Sequence, residues 1–480
     1  MTDFDLSPDE LRRLGLLAVE AVATHRAELE ARPVFGKVGV RASLFDEPLP
    51  EEGRPFEDVL AFAREHVLPS PFGNSHPRFF AFINASADPV GVFADLMAHA
   101  MNPNCWGGDH AAIHVEHRVL AWLASILGLP RETEGILTSG GSMANFTALA
   151  AARVAMAPWD IRQEGVGAAG QPRLVVYASD QVHNCVDKAV DLLGLGWKQL
   201  RKIASDDGFR MRVDLLGAQI AHDRAAGLLP AIVVGTAGTV NTGAVDPLEE
   251  IAELCQREGL WFHADGAYGG MAVVADELGS LFRGLESAHS VAADPHKWLY
   301  VPYEAGACFV REPGRLAAAF RRPAEYLVQD AESPLLGPPG FNDRGPELSR
   351  AFKALKVWMG LKVHGRRAYA ERVRRDCALA QFLAQEVDRR PVFERLAPVG
   401  LSIVNFRCRP DGMSERRLDA LNRQVVNRLV AGGGFMLAPT VLRGRVSMRV
   451  CIVNFRTTET DLLALLDETE RCVQQLVGGR

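Results

Sequence analysis

The sequence predicts an α/β fold: a large domain with a mainly parallel sheet, a small C-terminal α+β domain and an N-terminal helical arm. Short β-rich runs alternate with helical patterns from about residue 76 to 312, which is typical of strands and crossover helices around a parallel sheet. The chain of 480 residues is 48% hydrophobic and 23% charged. It can therefore bury a sizeable core, divided over two or three structural units.

The N-terminal arm is predicted over residues 1–75. Leucine and alanine recur at helical spacing over residues 7–31 after the capping-type sequence SPDE, and a segment punctuated by proline and glycine follows to Arg54. One helix is too small to hold a core alone, so we expect an arm rather than a domain.

The large domain is predicted over residues 76–350 and the small α+β domain over residues 351–480. The expected strands of the large domain are GILTS, RLVVYAS, AIVVGTAG, LWFHA, SVAAD and GACFVR. Clustered prolines and glycines without periodicity over residues 325–350 predict a mobile functional loop. In the small domain we expect a helix over residues 352–387, strands in LSIVNFRCR and VSMRVCIVNF, and two further helices.

Charge and cysteine content favour a cytoplasmic protein that binds small molecules. The 53 basic and 59 acidic residues are well mixed and give a net charge of −6, so we expect neither nucleic acid nor a membrane as partner. The eight cysteines form no CxxC motif, which favours a reducing compartment. The N-terminus does not resemble a signal peptide, and no apolar run reaches about 20 residues.

Two motifs are weak evidence for the ligands that they would suggest, a dinucleotide and zinc. The string GVGAAG over residues 165–170 precedes a strand, whereas a dinucleotide site needs a strand before it and a helix after it. His110, His114 and His117 share one helical face, a geometry that zinc could use. No HExxH motif or fourth ligand accompanies them, so we favour structural histidines and expect no metal.

An anion site is indicated where the apolar strand GILTS runs into Ser139-Gly140-Gly141-Ser142 and an alanine-rich helix. Free amides at a helix start, approached closely because glycine has no side chain, can hold a phosphate together with a serine hydroxyl. Taken alone, the pattern is equally compatible with a simple tight turn.

Asp265 and Lys297 are the candidate reactive groups. Asp265 ends an apolar strand, at the edge where open parallel sheets bind ligands, although a strand-end turn explains such an aspartate as well. Lys297 lies one strand further on in the sequence ADPHKWLYVP. A desolvated lysine is more often neutral and nucleophilic, and the alternative is a structural lysine whose ammonium reaches solvent.

Together the three features match the needs of pyridoxal 5′-phosphate (PLP). Its phosphate requires a helix start, its pyridine nitrogen pairs with an acid, and its aldehyde forms a Schiff base with a lysine. Each feature is ambiguous alone, and their combination predicts a PLP enzyme.

The same segments resemble the PLP-dependent group II amino-acid decarboxylases, especially those of the aromatic-L-amino-acid type. DPHKW is similar to the cofactor-lysine motif of that family, HADGAY to its Asp-x-Ala segment, and YASDQVHNCVDKA to the segment whose histidine stacks on the cofactor. HPRFFAF, GTAGTVNTGAVDP, RAFKALKVW and LRGRVSMRVCIVNFRTT extend the similarity over nearly the whole chain. The resemblance implies a fold-type I enzyme, of the aspartate-aminotransferase kind, that acts as an intertwined homodimer.

The resemblance also implies roles for individual residues. Lys297 would bind the cofactor aldehyde, Asp265 would hold the pyridine nitrogen protonated, and Ala267 and His183 would cover the two ring faces. Gly141, Ser142 and Ser290 would hold the phosphate, with Thr239 and His296 as neighbours. The substrate is expected to be an aromatic or other hydrophobic L-amino acid, and the residues predicted to contact it are Phe82, Asn84, Asn104 and Trp106.

The expected reaction is decarboxylation to an amine and CO₂, and one residue opens an alternative. In the family, the proton that completes the reaction is associated with a tyrosine on the mobile loop, and that position falls on Phe341. Because phenylalanine donates no proton, amine formation would need His183 or another residue as the acid. A decarboxylase-oxidase that releases an aldehyde is the second hypothesis. Another PLP lyase or aminotransferase, or a PLP-binding protein without turnover, is less favoured.

Overall fold

The computed structural model describes residues 5–35, 43–70, 72–322 and 337–478. The helices in these ranges are α1 (Pro8–Ala27), α2 (Phe56–Phe62), α3 (Pro89–Met101), α4 (Ala111–Ile126), α5 (Gly141–Met156), α6 (Ile161–Glu164), α7 (Asn184–Leu192), α8 (Val213–Ala225), α9 (Leu248–Glu258), α10 (Pro295–Trp298), α11 (Arg315–Phe320), α12 (Ala354–Arg389), α13 (Glu415–Ala431) and α14 (Glu459–Gly478). The strands are β1 (Glu134–Thr138), β2 (Leu174–Ser179), β3 (Leu200–Ile203), β4 (Leu229–Thr236), β5 (Trp261–Gly266), β6 (Ser290–Ala293), β7 (Gly306–Val310), β8 (Phe393–Arg395), β9 (Ile403–Cys408), β10 (Ala438–Leu442) and β11 (Arg445–Cys451). None of these helices is long and apolar enough to cross a bilayer.

The large sheet has seven strands in the order β1-β7-β6-β5-β4-β2-β3. All neighbours pair in parallel except those of β7, which runs antiparallel to β1 and β6. Side chains alternate between the two sheet faces, and both faces of β5 are covered. Asn145 of α5 contacts His263 on one face, while Ile251 of α9 lies beside Phe262 and Gly235 on the other. The predicted α/β class with a mainly parallel sheet is confirmed.

The topology collects the ends of several strands at one edge of the sheet. The parallel strands β2, β4, β5 and β6 all finish there, and β1 delivers the chain to the start of α5 at the same edge. Open parallel sheets bind their ligands at this edge. The loops that follow β1, β2, β4, β5 and β6 therefore supply the candidate site.

The C-terminal part forms a second, antiparallel sheet in the order β10-β11-β9-β8. Its core includes side chains of α13, α14 and the second half of α12. Helix α12 begins against α3 and α4 of the large unit and changes direction at Gly365, where φ is +72°. Because α12 serves both cores, the predicted boundary between residues 350 and 351 stays a prediction.

The predicted mobile loop divides into two parts. Residues 325–336 lie outside the described residues. Residues 337–350, by contrast, are tied to the large sheet, because the guanidinium of Arg350 is buried against the carboxylate of Glu116 and donates to the carbonyls of Cys105 and Leu137 at 2.7 and 2.9 Å. This second part contains no helix or strand but is anchored to the large sheet, and the predicted mobility stays a prediction.

Candidate active site

A cavity of about 480 Å³ opens at the sheet edge where the parallel strands end. Its floor is formed by the ends of β5 and β6, and its walls come from the starts of α5 and α7 and from the segment before α3. The lining residues used below are Phe82, Ile83, Asn84, Gly141, Ser142, His183, Gly238, Val240, Asp265, Ala267, Asp294, His296, Lys297, Tyr303, Glu304 and Arg449.

The start of α5 forms the predicted anion cradle. Gly140 caps the helix and Gly141 begins it, so the first amides of the helix have no partner within it. A Cβ on Gly141 would lie 2.8 Å from both the Cβ of Ala267 and a carboxylate oxygen of Asp294. Only glycine fits there, and the cradle is therefore packed directly against the residues that follow β5 and β6.

Lys297 lies on the short helix α10, within reach of a buried carboxylate. Its Nζ is 2.8 Å from Oδ2 of Asp294, three residues earlier, and 18% of the lysine side chain is exposed. Asp294 is 1% exposed, and its other oxygen, Oδ1, has no hydrogen-bond partner. The ammonium is thus held at the cavity floor by an acid that retains capacity for a further contact.

Asp265, Ala267 and His183 surround the space in front of Lys297. Asp265 is 4% exposed, and the amide of Ala267 donates to its Oδ1 at 3.2 Å. His183 caps α7 by accepting the amide of Cys185 on Nδ1 at 3.2 Å. Burial lowers the pKa of His183, although the carboxylate of Asp265 opposes the shift. The imidazole is therefore neutral near pH 7 and carries its proton on Nε2.

These residues fit PLP. The glycine cradle can accept a phosphate, Asp265 can pair with a ring nitrogen, and Lys297 can reach an aldehyde within the same cavity. The unpartnered Oδ1 of Asp294 marks a place where a further donor is required.

Comparison with known proteins decides which chemistry the arrangement serves. Residues 39–409 match the family model described as the pyridoxal-dependent decarboxylase conserved domain. The chain belongs to this family. It is 35% identical to an aromatic-L-amino-acid decarboxylase of Bacillus atrophaeus over 99% of this chain and 98% of the relative. It is 28% identical to a phenylacetaldehyde synthase of Arabidopsis thaliana over 95% of this chain and 94% of the relative.

A solved structure leads to the same conclusion. Oryza sativa TDC, crystallised with PLP and tryptamine, superposes with a TM-score of 0.91 at 28% identity, covering 99% of this chain and 100% of that one. The protein is therefore a fold-type I, PLP-dependent decarboxylase, a carboxy-lyase, as the sequence predicted.

Two predicted cofactor ligands lie elsewhere in the decarboxylase. Ser290 begins β6 at the end opposite the cavity, and its hydroxyl contacts Trp261 and His263. Thr239 is fully buried and its hydroxyl contacts Thr242 at 2.9 Å. Neither residue lines the cavity, so the predicted phosphate contact of Ser290 is not seen. Thr239 was predicted as a neighbour of the phosphate, and the residues on either side of it, Gly238 and Val240, do line the cavity.

Phe341 packs inside its own chain and does not line its own chain's cavity. It is fully buried, its ring centroid lies 4.6 Å from that of His117, and the guanidinium carbon of Arg350 is 4.8 Å from it. Asn104 and Trp106 hold the same anchor: Oδ1 of Asn104 accepts the amide of Arg350 at 3.0 Å, and the carbonyl of Trp106 accepts that of Phe341 at 2.7 Å. Neither of these two predicted substrate residues lines its own chain's cavity.

The other two predicted substrate residues do line the cavity. Phe82 stacks on Phe72 with ring centroids 5.8 Å apart, and Oδ1 of Asn84 accepts the hydroxyl of Tyr303 at 2.7 Å. The structure adds Tyr303, Asp294 and Arg449, which sequence reasoning missed. Asp294 stands one helical turn before Lys297, and this spacing could have predicted their ion pair. The positions of Tyr303 and Arg449 depend on tertiary structure.

Proposed function

We propose that this decarboxylase converts an aromatic L-amino acid to the corresponding amine and CO₂. The observation that carries the proposal is that the lysine and the arginine lining the cavity already contact other groups of the protein. Lys297 pairs with Asp294, and Arg449 donates to the carbonyls of Val240 and Ala81 at 3.0 and 2.8 Å. Lys297 and Arg449 are the lysine and the arginine among the described lining residues. Both terminal nitrogens of Arg449 point at backbone carbonyls and its Nε is buried without a partner, so neither residue presents a free terminal nitrogen to an acidic side chain.

The histidines of the cavity do not supply such a charge either. Burial lowers the pKa of both His183 and His296, so both rings are neutral near pH 7. The apolar wall of Phe82, Ile83 and Val240 suits an aromatic ring instead, with the Tyr303–Asn84 pair as polar contacts for a ring substituent. Relatives named as aromatic-L-amino-acid and tryptophan decarboxylases support this substrate class.

In this proposal each side chain of the cavity has a separate role. When bound, PLP supplies the aldehyde that captures the substrate amine and the ring that takes up the electron pair as CO₂ leaves. Lys297 holds the cofactor before substrate arrives, Asp265 keeps the ring nitrogen protonated, and His183 presents an Nε2–H donor at the cavity wall. The apolar wall keeps water from the carboxylate, which favours loss of CO₂.

A substrate panel tests the proposal. Purified decarboxylase loaded with PLP is given L-tryptophan, L-tyrosine, L-DOPA, L-phenylalanine, L-glutamate and L-2,4-diaminobutyrate, and CO₂ and amine are measured. We expect kcat/KM for at least one aromatic amino acid to exceed that for glutamate by at least ~100-fold, since an unpaired buried carboxylate is costly. Preference for glutamate or diaminobutyrate would contradict the proposal.

We also propose that two copies form a homodimer through α1 and α3. Large apolar side chains on these helices are exposed in the single chain, and large exposed apolar patches commonly mark interaction sites. They are Leu11, Leu16, Leu17, Val19 and Val22 on α1 and Phe93, Leu96, Met97 and Met101 on α3. If Asn104 and Trp106 contact substrate, they must do so in the cavity of the second copy.

A charge placed in this surface should separate the copies. Leu96→Glu puts a carboxylate at a leucine that is 63% exposed on α3, and Leu192→Glu does the same at a leucine that is 75% exposed on α7, outside the proposed interface. We expect light scattering to show a dimer for wild type and Leu192→Glu and a monomer for Leu96→Glu. A monomeric wild type, or an unchanged Leu96→Glu dimer, would exclude this interface.

A further inference from the structure

A buried chain of hydrogen bonds runs from β5 and β6 to the start of α5. Trp261 Nε1 donates to Ser290 Oγ at 2.8 Å, and Ser290 Oγ lies 2.9 Å from Nδ1 of His263. Nε2 of His263 lies 2.7 Å from Oδ1 of Asn145, whose Nδ2 donates to the carbonyl of Gly141 at 2.8 Å. All four side chains are at most 4% exposed.

The contacts of Asn145 fix the proton on one side of His263, while on the other side Nδ1 lies near the Ser290 hydroxyl and 3.2 Å from the Ser290 carbonyl. Asn145 must turn its NH₂ group toward the Gly141 carbonyl, so its Oδ1 can only accept, and Nε2 of His263 must carry a hydrogen. Nδ1 of a neutral His263 then accepts the hydroxyl hydrogen of Ser290, whose oxygen accepts from Trp261. Burial lowers the pKa of His263 to about 4, although Asp265 opposes the shift, so the neutral ring that this order requires is the stable form.

The chain ends on the peptide group that begins the anion cradle. The carbonyl of Gly141 and the amide of Ser142 belong to one rigid peptide plane and point in opposite directions. The helix already directs the Gly141 carbonyl along its axis. The side-chain bond from Asn145 restrains this carbonyl further, and with it the direction of the Ser142 N–H, which has no partner within the helix. Asn145 Nδ2 also lies 3.6 Å from Sγ of Cys185, and the amide of Cys185 donates to His183.

We propose that His263 is a positioning residue for cofactor binding: through Asn145 it orients the Gly141–Ser142 peptide and so sets the affinity of the cradle for the PLP phosphate. His263 stands two residues before Asp265 on the same strand but does not line the cavity, so it acts through other residues. Ser290, predicted as a phosphate ligand, would affect phosphate binding only indirectly, because its hydroxyl contacts Nδ1 of His263.

Two substitutions at His263 separate the two ends of the ring. The amide nitrogen of glutamine can replace Nε2 as the donor to Asn145, whereas asparagine is shorter and can satisfy only the Ser290 side. Apoprotein of each variant is titrated with PLP and with pyridoxal, which lacks the phosphate. We expect His263→Asn to weaken PLP binding by at least ~10-fold and pyridoxal binding by less than ~3-fold, and His263→Gln to change the ratio of the two affinities by less than ~3-fold.

A variant at the other end keeps the test decisive if His263→Asn does not fold. Asn145→Leu is close in size and removes the link to Gly141, so the same loss of PLP-over-pyridoxal preference is expected, with no further loss when His263→Asn is added. Circular dichroism and thermal melting of the apoproteins establish folding. Equal losses of PLP and pyridoxal affinity in the variants, or an unchanged ratio in all of them, would show that His263 is merely part of the core and overturn the proposal.

Discussion

Lys297→Ala should lower the rate of decarboxylation by at least ~10³-fold and abolish covalent attachment of the cofactor. Lys297 carries the ammonium at the cavity floor, held 2.8 Å from Asp294, and is therefore the amine expected to capture the PLP aldehyde. Borohydride reduction followed by denaturation should leave cofactor bound to wild type and release it from the variant, as read by absorbance and intact mass.

A second lysine provides the matched control. Lys353 is 11% exposed on its side chain and lies 3.4 Å from Glu304 at the cavity rim, so Lys353→Ala removes a neighbouring ammonium without touching the floor. We expect it to keep the covalent link and to change kcat by less than ~10-fold. A cofactor adduct that persists in Lys297→Ala would assign the link to another residue.

Removal of Lys297 also leaves the buried Asp294 carboxylate without its lysine partner, with Nε2 of His296 at 3.6 Å as its remaining neighbour. We expect the Lys297→Ala apoprotein to melt at a lower temperature, and the Lys297→Ala, Asp294→Asn double variant to regain part of the loss, because a neutral amide is cheaper to bury than an unpaired charge. Activity should stay lost in both variants, which separates the chemical role of the lysine from its contribution to folding.

The parts of the site that could be predicted from the sequence are those fixed by strand order. Asp265 stands near the end of β5, Gly141 and Lys297 follow β1 and β6, and the carboxyl ends of parallel strands meet at one sheet edge. Ser290 was misassigned because it stands at the opposite end of β6, about 10 Å along a strand that rises about 3.3 Å per residue. The contact between the Ser290 hydroxyl and His263 follows from the register of β6 against β5, which the sequence does not give.

Other contacts depend on tertiary structure that no local pattern encodes. His263 and Asn145 are 118 positions apart, and no sequence motif around either residue predicts their hydrogen bond. The burial of Phe341 could not be predicted for a related reason: a stretch without periodicity between two fixed motifs gives no register. The anchor formed by Phe341, Arg350 and Glu116 becomes visible only when α4 and β1 are brought together.

Tyr326→Phe should convert the decarboxylase from an amine producer to an aldehyde producer. The family associates the final proton transfer with a loop tyrosine, and Tyr326 is the one tyrosine in the 325–350 stretch. It lies outside the described residues, so this role is a proposal. Four of the other tyrosines have engaged hydroxyls: Tyr177 with Asp223, Tyr268 with Ser402, Tyr300 with Asp376 and Tyr303 with Asn84.

The products of three enzymes decide between the two candidate loop positions. Amine, aldehyde, ammonia, peroxide and O₂ consumption are measured with an aromatic substrate for wild type, Tyr326→Phe and Phe341→Tyr. We expect amine without O₂ consumption from wild type, and aldehyde, ammonia and peroxide with stoichiometric O₂ consumption from Tyr326→Phe. Phe341→Tyr should keep the product pattern of wild type and lose stability by about 1–3 kcal/mol, because its hydroxyl must enter the filled space between His117 and Arg350. If wild type released aldehyde and Phe341→Tyr released amine, the loop position of the family tyrosine would be Phe341, although this ring is buried away from its own chain's cavity.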